Sequence, residues 1–184
     1  MAPQYPAAGI RLADETFEDY LLNGEFTFRV SGYAQVDAAR PVAEWHIDAV
    51  TPFRKDYGID SEEFCARRES SGYEVWVAWL DQVPVGHLVL SAHWNGFAQI
   101  DELAVDAPAR RQGIAWALLD HACAWGRERH LAGLRLETQN NNLAACQLYE
   151  RYGFVVGGTD GLLYRGIERD TRESAIFWYL IFTG

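Results

Sequence analysis

Between Gly72 and Arg129 the hydrophobic period changes from two residues to 3.6, and this switch limits the folds open to the chain. Tyr73-Glu74-Val75-Trp76-Val77-Ala78-Trp79-Leu80 is rich in β-formers. After an Asp81-Gln82 turn comes Val85-Gly86-His87-Leu88-Val89-Leu90, with Pro84 at its edge. Asn95-Gly96, the pair favoured in a two-residue type I′ turn, leads into a third run from Phe97 to Val105. These runs predict an antiparallel meander. From Gly113 to Arg129, Ile114, Leu118, Ala122 and Trp125 then fall on one helical stripe.

Downstream, Leu134 to Thr138 reads as a short strand. Asn142 is suited to cap a helix carrying Ala145, Leu148 and Tyr149, and Gly153 is suited to end it. Phe154 to Val156 and the aromatic-rich Ser174 to Phe182 are further strands. Upstream, Asp14 to Asn23 and Ser61 to Glu69 read as helices, and Glu25 to Val36 and Val42 to Val50 as strands. A meander followed by β-α-β-α-β predicts one mixed α/β domain over 1–184, with helices on both faces of the sheet. Residues 1–9 read as a loose leader without the basic and apolar regions of a signal peptide.

Composition narrows the function. At 184 residues and 49% apolar content the chain can bury a substantial core. No apolar run nears the roughly 20 residues that span a bilayer, so a cytoplasmic location is expected. Cys65, Cys123 and Cys146 are widely spaced, which indicates neither a disulfide framework nor a metal cage. The net charge of −10 disfavours nucleic acid and anionic membrane as partners and suits a cationic ligand. A homodimer is compatible with the sequence.

The segment richest in chemistry is Val105-Asp106-Ala107-Pro108-Ala109-Arg110-Arg111-Gln112-Gly113-Ile114-Ala115. A strand ends, two arginines follow, and a helix opens at a glycine. Backbone N–H groups at a helix start lack partners and carry the positive end of the macrodipole, which favours phosphate. An ordinary turn with a solvated arginine pair is the competing reading. The segment lacks the G-K-[ST] of a Walker loop and the G-x-G-x-x-G of a dinucleotide site.

The R-x-x-G-x-A pattern of this turn resembles the acetyl-CoA pyrophosphate motif of the GNAT superfamily. Asn142-x-x-Ala145-x-x-Leu148-Tyr149-x-x-x-Gly153-Phe154 is similar to the later helix–strand segment of that superfamily. Thr51 to Tyr57, Leu134 to Asn142, the Trp94-Asn95 hairpin and Ala175 to Tyr179 narrow the resemblance to the streptothricin acetyltransferases. The resemblance implies a GNAT acyltransferase fold, a mostly antiparallel sheet with a splayed parallel pair. It implies acetyl-CoA as co-substrate, no metal, and streptothricin as the cationic acceptor, acetylated on its β-lysine part.

It also implies residue roles. The backbone of Leu103, Ala104 and Val105 would hold pantetheine, and Arg110, Arg111, Gln112, Gly113, Ile114 and Ala115 the pyrophosphate. Asn142 and Ala145 would line the pantetheine arm, and Tyr149 would protonate the leaving thiolate. A protonated amine has no lone pair, so a carboxylate or water must take its proton. Strict alternation puts Asp101 on one face with Gln99 and Leu103, and Glu102 on the other with Ala104. The resemblance matches Asp101, four residues before Val105, to a place where family members often carry a catalytic side chain, and Glu137, twelve before Tyr149, to the corresponding place on the neighbouring strand. These two are preferred over Glu102 as base or amine anchor, unless a bulge inverts the parity in favour of Glu102. Trp94, Phe97, Tyr164 and Trp178 are candidate walls of the acceptor pocket. A GNAT enzyme for another amine (an aminoglycoside, a polyamine or a protein N-terminus) and a catalytically silent acyl-CoA sensor remain alternatives.

Overall fold

A computed structural model describes residues 8–58 and 60–183. In chain order the elements are β1 (Gly9–Leu12), α1 (Phe17–Asn23), β2 (Phe28–Gln35), β3 (His46–Lys55), α2 (Ser61–Glu69), β4 (Tyr73–Leu80), β5 (Val83–Ala92) and β6 (Ala98–Val105). They continue with α3 (Ile114–Glu128), β7 (Gly133–Gln139), α4 (Leu143–Tyr152), β8 (Val155–Asp160) and β9 (Ala175–Ile181). Among the described residues this is a mixed α/β fold, with four α-helices and a mostly antiparallel sheet of seven strands that includes a parallel pair. β2 and β3 form a separate ribbon. By contact the chain divides into two compact units, Met1–Thr27 with Asp56–Leu134, and Phe28–Lys55 with Arg135–Gly184.

The first unit holds the order β1-β4-β5-β6 with α1, α2 and α3. Alternation along β4 and β5 sorts their side chains. Val75, Val77 and Val89 pack with Phe17, Tyr20, Leu21 and Phe64 of α1 and α2. On the opposite face Gly86 leaves room for α3, since a Cβ there would lie 3.0 Å from Ile114 and 3.3 Å from Leu118. Leu88, Leu118 and Leu119 are fully buried, each worth about 2 kcal/mol relative to exposure. His87 is also fully buried; its Nδ1 lies 3.2 Å from the Tyr20 hydroxyl, and the rings of Phe17, Phe26 and Phe64 surround it edge-on. Burial lowers its pKa to about 3 and keeps the imidazole neutral.

Two expectations about local structure change. The type I′ geometry belongs to Asp81-Gln82, both at positive φ (48° and 65°), with Leu80 paired to Val83. At the Asn95-Gly96 turn only Gly96 has positive φ (85°). His93 N donates to Phe97 O at 2.9 Å, and Gly96 N to His93 O at 3.0 Å. That is a three-residue loop with glycine in the left-handed position. Residues 1–7 of the expected leader lie outside the described residues, and Gly9 already pairs with Trp79 in β1.

The second unit contains the β2–β3 ribbon, β7, α4 and the β8–β9 pair. Asn142 caps α4 by accepting from Ala145 N at 3.2 Å, and Gly153 ends the helix at φ 113°. The buried face of α4 presents Cys146 and Tyr149. Tyr149 packs against Phe154 and Trp178, and Trp178 against Trp45.

Candidate active site

In the first unit, β6 carries a bulge. Glu102 pairs with Val89, whereas Leu90 pairs with Ile100, which leaves Asp101 as the extra residue. The parity expected from strict alternation is therefore inverted beyond Ile100. Glu102 now lies across from Val89, on the face covered by α1 and α2. Burial pushes its pKa up to about 7; Arg67 opposes the rise, while Asp101 and Glu63 add to it. A carboxyl poised near neutrality can take a proton from an ammonium and release it again. Asp101 is otherwise engaged, its carboxylate accepting from the Ser91 hydroxyl at 2.5 Å. The bulge is the condition under which the alternation argument favours Glu102 over Asp101.

After β6 the chain turns sharply. Asp106 accepts from Glu25 N at 2.8 Å, and a single turn of 3₁₀ helix spans Ala107–Ala109. Arg110 donates to the carbonyls of Val105 (3.0 Å) and Thr27 (2.8 Å), so its guanidinium braces the turn from within. At least two of its N–H groups are thereby engaged with main-chain carbonyls. Arg111 is exposed, with φ 63°. Gln112 donates to Pro108 O at 3.3 Å. Gly113 sits at the N-cap of α3 with φ 80°, and no side chain caps the helix. Ile114 and Ala115 occupy the first helical turn, where no carbonyl four residues back is available. The Ile114 side chain is buried in the core, so only its backbone is available to a ligand. Uncapped N–H groups, a left-handed glycine and one exposed guanidinium match the donor set a diphosphate needs. Leu103, Ala104 and Val105 are partly buried along the same strand.

In the second unit, Glu137 is exposed on β7 and accepts from the Tyr164 hydroxyl. The fold thus joins two of the expected residues through one hydrogen bond. Tyr149 is buried on α4, one face against Trp178 at 6.1 Å between ring centroids. Ala145 lies partly buried in the first turn of that helix.

The aromatic expectations divide. Trp178 is 1% exposed and belongs to the core, not to a pocket wall. Trp94 is 90% exposed at its hairpin tip, against the His93 ring, and encloses nothing there. Phe97 is partly buried at the start of the same hairpin arm, and Tyr164 remains beside Glu137. Sequence reasoning passed over a partly buried cluster of Lys55, Gln139, Asn141 and Glu173, whose members approach only in the fold.

With this geometry in view, similarity to known proteins decides the family. Residues 39–154 match the model of the Acetyltransferase (GNAT) family. A streptothricin acetyltransferase from Escherichia coli is 38% identical over 131 residues, 71% of this chain and 72% of that protein. The chain belongs to the GNAT acetyltransferases, in their streptothricin acetyltransferase family. Streptothricin acetyltransferase A of Bacillus subtilis (strain 168) is 35% identical over 71% of this chain and 75% of its own. A crystal structure from Bacillus anthracis str. Ames, described as a streptothricin acetyltransferase in complex with acetyl coenzyme A, superposes with a TM-score of 0.80. It is 31% identical, over 96% of this chain and all of that one. Among the described residues of this GNAT member, no helix is long and apolar enough to cross a membrane and no acidic, histidine or cysteine cluster could hold a metal ion.

Proposed function

We propose that this protein transfers the acetyl group of acetyl-CoA to an amino group of streptothricin, on its β-lysine part, and so inactivates the antibiotic. The carrying observation is the 38% identity to a streptothricin acetyltransferase over most of both chains. The acidic balance of the chain, 26 acidic against 16 basic side chains, suits a polycationic acceptor.

The turn at Arg111 to Ala115 supports a diphosphate-binding role, with Arg111 as the local cation and Arg110 as the brace. The main chain of Leu103 to Val105, with Asn142 and Ala145, would hold the pantetheine arm. When bound, acetyl-CoA supplies a thioester already activated toward an amine.

Glu102 takes the proton that the acceptor ammonium must lose, because its carboxyl titrates near neutrality. The amine lone pair then forms the new C–N bond as the C–S bond breaks; the Tyr149 phenol protonates the departing sulfur, and the second proton lost by the acetylated nitrogen restores the phenol. Glu137 with Tyr164 anchors a cationic part of the acceptor. Transfer is direct, without an acyl-enzyme. Cys146 supports no nucleophilic role, since burial pushes its thiol up to about 12.

Mass spectrometry of streptothricin after incubation with enzyme and acetyl-CoA tests this reading. It predicts one added acetyl group, localised by fragmentation to the β-lysine part. An unmodified antibiotic, or acetyl elsewhere on the molecule, contradicts it.

A further inference from the structure

A partly buried charged cluster with no direct part in the proposed chemistry lies in the second unit. Lys55 is the only lysine of the chain and ends β3. Its ammonium pairs with the Glu173 carboxylate; the two side chains are 20% and 15% exposed. Lys55 also donates to Gln139 Oε1 at 2.8 Å, and Asn141 Nδ2 donates to the same Glu173 carboxylate at 3.0 Å. Asn141 is fully buried, and its Oδ1 has no partner among the described residues.

The residues flanking Glu173 are fastened as well. Ser174 N donates to Asn140 Oδ1 and Asn140 N to Ser174 O, both at 3.0 Å. Asn140 Nδ2 reaches Ala34 O at 3.1 Å. The Arg172 guanidinium lies 4.6 Å from the centroid of the Tyr33 ring. Residues 172–174 therefore clip the β2–β3 ribbon to the end of β7.

Ion pairs removed from water are often no more stabilising than apolar contacts of the same size, so the cluster calls for a reason other than stability. Its members converge on the turn from Gln139 to Asn142, the segment that delivers the cap of α4. Within that turn Asn141 is buried with one acceptor unsatisfied, which costs stability. The hydrogen bond from its Nδ2 to Glu173 compensates.

We propose that Lys55 and Glu173 are positioning residues: their half-buried pair sets the Gln139–Asn142 turn, and through α4 it sets the phenol of Tyr149. The proposal rests on the reading of Tyr149 as the acid. Lysine suits the position because a compact ammonium can serve Gln139 and Glu173 together, whereas the rigid guanidinium fork of arginine presents its donors differently.

A double-mutant cycle between Glu173→Gln and Tyr149→Phe tests it, with kcat and the acetyl-CoA KM measured for each enzyme. Misplacing a reacting group by about an ångström costs up to roughly 100-fold in rate, so E173Q alone is expected to lower kcat by about 10-fold. The acetyl-CoA KM should stay within about twofold, because the pyrophosphate turn is built by other residues. In the Y149F background the further loss from E173Q should shrink to about twofold or less. A loss of equal size in both backgrounds would mean general destabilisation and would overturn the proposal. Full activity of Y149F alone would remove the reading of Tyr149 as the acid, a failure visible before Glu173 is touched. If E173Q does not fold, Lys55→Arg carries the same cycle with the same two outcomes.

Discussion

Glu102 lies directly across the β5–β6 pair from Val89, a position it owes to the bulge at Asp101. Without the extra residue, the two carboxylates would occupy opposite roles on the strand. The bulge puts Glu102 against the α1–α2 face, where burial raises its pKa to about 7.

The rate should therefore depend on this carboxyl. With Glu102 as base, kcat/KM for the amine rises with pH through about 7, and Glu102→Gln should lower it by about 10²-fold or more. The acidic limb near 7 should vanish from the pH profile of the variant. Asp101→Asn should cost far less, and a reversal of the two effects would return the base to Asp101.

Stability should carry the same signature. The folded state holds the Glu102 proton more tightly than the unfolded chain does, so stability falls as pH rises from about 4.5 to about 7 and this term is flat above. The term amounts to at most about 3 kcal/mol. Urea unfolding at pH 5 and pH 8 should show E102Q losing less stability over that interval than the parent. Equal losses would place the carboxyl in an ordinary solvated environment.

The turn proposed to hold pyrophosphate depends on glycine at the α3 cap. Gly113 has φ 80°, where a Cβ costs about 1–2 kcal/mol. Gly113→Ala should raise the acetyl-CoA KM about 10-fold while leaving the amine KM within about twofold. Isothermal titration with CoA checks the same point without turnover. Unchanged CoA affinity in a folded variant would remove the turn from the site.

At the other helix, Asn142→Ala removes the side-chain cap of α4. The expected loss is about 1 kcal/mol in chemical denaturation. If Asn142 also contacts pantetheine, the acetyl-CoA KM rises by more than the loss of folded enzyme explains.

Features with a local cause were legible in the sequence. The β4–β6 meander and α3 followed from hydrophobic period, and the ends of α4 from Asn142 and Gly153. Features set by distant partners were not. β1 is four residues long and mostly exposed, so it shows no alternation to read. The Asp101 bulge is fixed by pairing with β5, and no residue near it announces an inserted position. Trp178 looked like a pocket wall because aromatic character does not reveal which face of a strand is covered. Lys55 and Glu173 stand 118 residues apart, and only the fold joins them.

Initial-rate thiol release from acetyl-CoA by the purified enzyme, with streptothricin, an aminoglycoside and a polyamine compared as acceptors, tests the proposed function most directly. Rapid release with streptothricin and little with the other two is the predicted result. Binding of acetyl-CoA without release in the presence of streptothricin would contradict it.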